Sequence, residues 1–363
     1  VMAVLTGVYV IAGGYMATAI NDFIQGIIML FGICAVIGAV LRSQGGFLEA
    51  LTRLAQVPNE TASGPVAGAP GVFASFFGPD PVNLLGVVIL TSLGTWGLPQ
   101  MVQKFYAIKS EKSINTGTVI STLFALVVSG GCYFLGGFGR LFSGVVGVTE
   151  AGTPVGGFDA VIPAMLSGLP DLLIAVVVIL VLSASMSTLS SLVLTSSSTL
   201  TLDLLKGHVV KDMDEKKQVF IMRCLIVVFI AISVVLAIIQ YRSSVTFIAQ
   251  LMGVSWGALA GAFLAPFLYG LYWKGVTKAA CWTSFIFSTV VMLADISPLK
   301  AHFPAILVSP INCGAFCMIA GLVIVPVVSL FTARPKKELV DDAFSCYEEK
   351  VTVRKSQALG DPQ

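Results

Sequence analysis

The sequence has 363 residues, of which 56% are hydrophobic and only 11% are charged, and its formal net charge is +2. A soluble domain carries about 25% charged residues, so this composition excludes an ordinary soluble protein. The mean hydropathy of +0.93 favours an all-α integral membrane protein, because helices satisfy their own backbone groups in lipid.

Apolar runs long enough to cross a bilayer, about 20 residues each, recur along the chain. The opening run, residues 1–14, is too short to span and is interpreted as the end of a helix whose start is absent. Its Gly13-Gly14 pair is expected to break the helix there. Eight full spans are predicted after it: 15–41, 83–108, 113–142, the stretch that starts at residue 172, 219–240, 245–273, 279–293 and 307–331.

One carboxylate falls near a span end. Asp22 lies close to the beginning of the predicted span 15–41, and it is the only titratable side chain that we find near a span end. Ionisable residues within membrane segments are usually functional. An acid at a helix start is also favoured by the helix dipole alone, so both explanations stay open.

The next span contains two glycines and a proline near its middle. Gly94, Gly97 and Pro99 weaken the helical hydrogen-bond ladder, which lipid tolerates only where protein or a cavity covers the freed groups. Broken helices of this kind mark binding sites in transporters. A simple proline kink is the alternative.

Residues 172–206 begin as an apolar run and then become rich in hydroxyl groups. Twelve of the nineteen residues from 183 to 201 are Ser or Thr. At 3.6 residues per turn, one helix face carries Ala184, Ser187, Thr188, Ser191, Thr195 and Ser198. Neutral oxygen ligands suit a monovalent cation that must leave again. The same residues also serve close helix packing and hydrogen bonds to the preceding turn.

The distribution of positive charge predicts the orientation. With the Gly13-Gly14 end inside, the predicted inner segments hold sixteen of the 21 Lys and Arg residues, and the outer segments hold five. This bias follows the positive-inside rule. It predicts a multi-pass protein of the plasma membrane with a cytoplasmic C-terminal tail.

Several of these stretches resemble the sodium/solute symporter family. Residues 184–190, with the Ser/Thr run and 203–206 after them, resemble the family's ninth helix and are most similar to its proline and pantothenate branch. Residues 13–26 resemble the junction of the fifth and sixth helices, and 247–274 resemble the eleventh helix. Residues 94–100 are similar to a cavity-lining helix of the same branch.

The resemblance implies roles for particular residues. The Ala184 carbonyl and the hydroxyls of Ser187 and Thr188 would hold the sodium ion, and Asp22 would lie near the cytoplasmic sodium exit. Four further residues would line the substrate cavity: Thr91, Thr95, Trp96 and Gln100. The sugar-transporting branch carries an amide at the position of Ser92 and an aromatic residue at that of Thr95, so a sugar substrate is disfavoured.

The resemblance also implies an inverted-repeat fold shared with the bacterial leucine transporter. Residues 1–331 would form a transmembrane symporter domain that lacks about helices 1–4 of the family's thirteen, and 332–363 a cytoplasmic tail. The implied function is not enzymatic. It is sodium-coupled uptake of proline, pantothenate or another small carboxylate-bearing solute by alternating access, with sodium as the co-transported ion.

Two alternatives to a symporter are an ion channel and a membrane-embedded enzyme. A channel needs a continuous polar pore, whereas the polar residues here are confined mainly to one helix and a broken neighbour. An enzyme needs titratable groups inside the membrane, and Asp22 is the only candidate. The expected partners are the small-molecule substrate and membrane lipid, with no nucleic acid.

Overall fold

The computed structural model describes residues 2–58, 60–61, 64–65, 70–105, 108, 110–142, 158–210, 212–243 and 248–347. The chain forms two compact units. The first comprises Val1–Val88 with Pro99–Gly253, and the second comprises Ile89–Leu98 with Val254–Gln363. Each unit is described separately below. The start of the predicted span at residue 245 and the tail residues 348–363 lie outside the described residues.

The described chain is almost entirely helical. Its helices are α1 Met2–Ser43, α2 Phe47–Ala55, α3 Pro81–Gly97, α4 Pro99–Phe105, α5 Glu111–Gly137, α6 Val161–Leu166, α7 Asp171–Ser198, α8 Glu215–Ser243, α9 Ile248–Tyr272, α10 Lys278–Ile296, α11 Pro310–Phe331 and α12 Lys337–Phe344. Two short strands, β1 Glu60–Thr61 and β2 Gly64–Pro65, pair antiparallel in the connection after α2. Short 3-10 turns occupy several other connections.

Seven helices of the described chain are long and apolar enough to cross a membrane, and there are eight if α3 and α4 count as one broken span. Their positions match the eight spans that the apolar runs predict. The predicted all-helical membrane fold is therefore confirmed.

Helix α1 contains the break expected at the glycine pair. Gly14 has φ 56° and ψ −146°, a backbone conformation that side-chain-bearing residues rarely adopt. Residues 2–13 and 15–43 are consequently two helical segments joined at a kink. The kink separates the short opening run from the first full span.

In the first unit, α1 packs along α7 and also contacts α5 and α8. Gly32 permits this approach, because a Cβ atom there would lie 2.7 Å from Cδ1 of Leu180. On the other side of the kink, Val10, Val193 and Ile226 form a buried cluster that joins α1, α7 and α8. Apolar packing therefore holds the hydroxyl-rich helix against α1.

In the second unit, α9, α10 and α11 meet through small residues. A Cβ atom at Gly257 of α9 would lie 2.6 Å from Cα of Gly314 in α11. The Ser288 hydroxyl of α10 donates a hydrogen bond to the Gly257 carbonyl at 2.9 Å. Small residues at such positions let membrane helices pack closely, because van der Waals contact replaces the hydrophobic effect there.

The two glycines of α3 also pack against α9. A Cβ atom added at Gly94 would lie 3.0 Å from the Trp256 ring. One added at Gly97 would lie 2.9 Å from the Ala260 backbone. Helix α3 nevertheless stays regular through Gly97, and the break falls at Leu98, just before Pro99. The break expected in this span is present, but the proline causes it and the glycines serve packing.

Candidate hydroxyl site between helices α1, α4 and α7

The hydroxyl-rich face of α7 lies in the first unit, where both α1 and α4 contact this helix. Helix α7 does not stop at Ser198, because the chain continues to Val209 as π-helix. Turns of π-helix are rare and frequently mark functional sites. The sequence pattern predicted the helix but not this change of winding.

Asp22 of α1 faces this hydroxyl-rich surface. Its carboxylate lies near the Ser187 side chain, and its Oδ2 atom lies 3.9 Å from Nζ of Lys104 in α4. The buried Oδ1 atom accepts no hydrogen bond from the described residues. Two of the residues that the sequence singles out, Asp22 and Ser187, are thus brought together across the α1–α7 contact.

Gln103 of α4 connects the same face to the broken span. Its Nε2 atom donates to Oγ of Ser198 at 3.0 Å, and its Oε1 atom accepts from Oγ1 of Thr195 at 2.6 Å. Sequence analysis did not select this residue. Its position one helical turn after Gln100, on the same short helix, is the signal that could have identified it.

A cavity of about 230 Å³ opens among these groups. Its polar lining comes from three helices and includes Thr18, Asp22, Gln100, Gln103, Ser191 and Thr195. A larger cavity of about 550 Å³ shares Tyr15, Gln103 and Leu194 with it and extends past the Gly14 kink to Arg223. The smaller cavity is large enough for several water molecules or a partly hydrated ion.

The three residues assigned to sodium lie within about one turn of α7, with Ser187 and Thr188 one turn after Ala184. The hydroxyl of Thr188 donates to the Ala184 carbonyl at 3.1 Å, and that of Ser190 donates to the Ser187 carbonyl at 2.9 Å. Both hydrogen bonds are of the type expected from hydroxyl residues in membrane helices. The Ala184 carbonyl and the Thr188 hydroxyl are thereby close enough to share one ion as well as one hydrogen bond.

The residues assigned to the substrate cavity fall into both units. Gln100 lines the smaller cavity beside Asp22 in the first unit, whereas Thr91, Thr95 and Trp96 belong to the second. The Thr95 hydroxyl donates to the Ser92 carbonyl at 3.1 Å, and the Trp96 side chain is largely exposed. Their grouping around one substrate stays a prediction.

One ionisable residue inside a span was missed. Helix α10 extends to Ile296, beyond the predicted end of that span at residue 293, and therefore contains Asp295. This aspartate is 3% exposed. The prediction that Asp22 alone lies near a span end is wrong, because the helix continues one turn beyond the apolar run and includes Asp295.

These observations define a class of protein. Several apolar spans, one of them broken at a proline, surround a polar cavity with a single carboxylate and many neutral hydroxyls. Discontinuous helices and neutral oxygen ligands near a cavity are characteristic of secondary transporters that couple solute movement to a small cation.

Comparison with known proteins identifies the family. The model of the sodium:solute symporter family matches residues 1–287, so the chain belongs to this family. The sodium/proline symporter of Staphylococcus aureus is 26% identical over 360 residues, covering 91% of this chain and 60% of that protein. The sodium/pantothenate symporter of Haemophilus influenzae is 25% identical over 288 residues, covering 78% of this chain and 55% of that protein. The family and these relatives are symporters rather than enzymes.

A solved structure supports the fold. The substrate-bound, outward-open state of a Na⁺-coupled sialic acid symporter matches with a TM-score of 0.63 at 14% sequence identity, covering 93% of this chain and 66% of that one. This likeness confirms the predicted leucine-transporter-like fold. The chain spans about 60% of the length of the first curated relative.

Proposed function

We propose that this protein takes part in sodium-coupled uptake of a small organic solute by alternating access. The observation that carries the proposal is the approach of Asp22 to the hydroxyl face of α7, where Asp22, Ser191 and Thr195 line one cavity. It places one negative charge beside neutral oxygen ligands, at a cavity of about 230 Å³. The match to the sodium:solute symporter family supports sodium as the transported cation.

In this proposal the sodium ion is held by the Ala184 carbonyl and the hydroxyls of Ser187 and Thr188. Rotation of the Thr188 hydroxyl away from the Ala184 carbonyl, which lies 3.1 Å away, would present both oxygens to the ion. Neutral ligands bind a monovalent ion without holding it too tightly to leave. Sodium binding and substrate binding would then stabilise the same state, which couples the two reciprocally.

Asp22 would receive the sodium ion on its way out. Its carboxylate lies between Ser187 and the Lys104 ammonium, so it can attract a cation leaving α7. Lys104 is 3.9 Å away on a flexible side chain, and it can neutralise the carboxylate once the ion has left. The cavity beside Asp22 provides a route for this exit.

The proposed substrate is a small carboxylate-bearing nutrient such as proline or pantothenate. The names of the two relatives reported above support this class. Thr91, Thr95, Trp96 and Gln100 are proposed to line its cavity. A sugar substrate remains disfavoured, because this chain has Ser92 and Thr95 where the sugar-transporting branch has an amide and an aromatic residue.

We further propose that the protein lies in the plasma membrane. Residues 1–331 would form the membrane domain, and residues 332–363 would form a cytoplasmic tail. Helix α11 ends at Phe331, which supports this boundary. The excess of Lys and Arg in the predicted inner segments supports the orientation.

The ion site can be tested by measuring solute uptake against sodium concentration for two variants. We expect Ser187→Ala and Thr188→Ala each to raise the half-saturating sodium concentration about tenfold to a hundredfold, because losing a polar contact to a buried charge costs about 1.5–3 kcal/mol. Ser196→Ala is the matched control, since Ser196 is exposed and lies outside the hydroxyl-rich face of the same helix.

If both variants stay within about twofold of the unmodified protein, a change of under 0.5 kcal/mol, the hydroxyls serve packing and the ion-site assignment is wrong. A similar rise of the half-saturating sodium concentration in Ser196→Ala would also contradict the ion-site assignment, because the effect would then not depend on the helix face.

A further inference from the structure

The buried carboxylate of Asp295 is unusual because the protein does not fully satisfy it. Its side chain is 1% exposed, and its nearest charged neighbour is the Lys300 ammonium, 3.5 Å from Oδ1. Among the described residues, neither carboxylate oxygen accepts a hydrogen bond. A buried charge without hydrogen bonds is costly, so an additional cationic or donor group is expected beside it.

Asn312 supplies a second unsatisfied acceptor at the same end of the α10–α11 pair. Its Oδ1 atom is buried and has no hydrogen-bond donor among the described residues. Asp295 is the last residue but one of α10, and Asn312 is the third residue of α11. The connection 297–309 therefore brings both to one end of the helix pair. The Asp295 carboxylate also lies within electrostatic range of Cys313, the neighbour of Asn312.

Three buried oxygen acceptors and one ammonium group thus lie at the same end of the α10–α11 pair. Carboxylate and amide oxygens are the ligands that hard cations prefer. One negative charge is balanced by one positive charge, so a monovalent ion suits the group. Lys300 is held by a flexible stem and is 33% exposed, which allows its ammonium to move into solvent when another cation takes its place.

We propose that Asp295 and Asn312 form a binding site for a monovalent cation, sodium in the first instance, and that the cation competes there with the ammonium group of Lys300. The site belongs to the second unit and shares no residue with the hydroxyl site on α7. The bound cation would join the ends of α10 and α11 through Asp295 and Asn312, and the displaced Lys300 would no longer tie the connection 297–309 to α10.

Hydrogen exchange measured by mass spectrometry can test this locally in the purified protein. Sodium chloride is exchanged for N-methylglucamine chloride at constant ionic strength, with no transport substrate present. We expect sodium to slow amide exchange saturably at the helix ends 294–296 and 311–312, which carry the two proposed ligands, and not in the connection around Lys300, which loses its ion pair. Asp295→Asn should raise the half-saturating sodium concentration about tenfold or more, and Lys300→Met should lower it by removing the competitor.

Two control variants separate this site from other effects of sodium. Ser187→Ala alters the proposed transport site and should leave the sodium response of the helix ends 294–296 and 311–312 unchanged. Lys278→Met removes an exposed charge at the other end of α10 and should also leave it unchanged. A failed ion-site assignment on α7 would not affect this experiment.

The proposal is overturned if sodium leaves the exchange of the helix ends 294–296 and 311–312 unchanged in the unmodified protein. It is also overturned if Asp295→Asn responds to sodium with the same half-saturation. If Asp295→Asn does not fold, the Lys300→Met variant alone tests the proposal. An unchanged or higher half-saturating sodium concentration in Lys300→Met then overturns it and means that Asp295 and Lys300 form only a structural ion pair.

Discussion

Asp22 illustrates how position within a helix distinguishes two roles for an acidic residue. The second segment of α1 begins after the Gly14 kink, so Asp22 lies about two turns inside it. The dipole of a helix favours an acid only within about its first turn. The contacts of Asp22 with Ser187 and Lys104 therefore explain its position better than the helix start does.

Replacing Asp22 by Asn should slow turnover more than it weakens substrate binding. The change removes a charge that attracts the departing cation, and such a contact contributes about 1–2 kcal/mol, or about tenfold in rate. The measurement is initial uptake rate together with substrate binding at saturating sodium.

Asp341→Asn is the matched control for this change. Asp341 pairs with Lys274 at 3.4 Å in an exposed position, and exposed ion pairs contribute little. If Asp22→Asn keeps normal turnover and only lowers the melting temperature, Asp22 has a structural role.

At the scale of whole helices, Gln103 is the residue that ties α4 to α7. Its two hydrogen bonds, with Thr195 and Ser198, are the side-chain link between the broken span and the hydroxyl face. We expect Gln103→Leu to lower the free energy of unfolding by about 1–3 kcal/mol and to slow transport, because Thr195 loses its acceptor and Ser198 its donor.

Thermal unfolding and uptake of the Gln103→Leu variant, measured on the same preparation, check this expectation. Gln56→Leu serves as the control, since Gln56 is exposed beyond the end of α2. Equal stability of the two variants would show that the α4–α7 link contributes nothing measurable.

The second unit offers a prediction about close packing between helices. Gly257→Ala should destabilise the protein by about 1–3 kcal/mol, because the new Cβ atom would lie 2.6 Å from Cα of Gly314 and 2.9 Å from the Met292 sulfur. Gly270→Ala in the same helix meets nothing within 4 Å and should be neutral or stabilising, since alanine favours helix by about 1 kcal/mol over glycine.

Thermal unfolding in detergent measures both glycine variants. The packing explanation fails if Gly257→Ala unfolds at the temperature of the unmodified protein, or if both variants lose the same stability.

At the scale of the whole molecule, the orientation in the membrane is open to direct measurement. Cys346 is exposed after α12, and the proposed topology puts it in the cytoplasm. In a variant without the other cysteines, we expect a membrane-impermeant maleimide to label Cys346 only after the cells are permeabilised. The physical reason is the positive-inside bias of the connections.

Ser75→Cys in place of Cys346 provides the opposite marker. Ser75 is exposed in the connection between α2 and α3, which the same topology places outside, so intact cells should be labelled there. Labelling of Cys346 in intact cells would reverse the orientation.

The sequence by itself determined the class of protein, the approximate spans, the kink at Gly13-Gly14, and the break near Pro99 in the second full span. These features follow from local properties: apolar length, the freedom of glycine and the missing amide of proline. It also selected Asp22 and Ser187, because a carboxylate and a run of hydroxyls are conspicuous in an apolar chain.

Only the tertiary structure decided which of these residues meet. The pairing of Asp22 with Ser187 and the bridge through Gln103 depend on how α1 and α4 pack on α7, and helical periodicity does not specify partners between helices. The burial of Asp295 beside Lys300 depends likewise on one further turn of α10. That turn continues α10 to Ile296 and buries Asp295, although the apolar run of the chain ends before it.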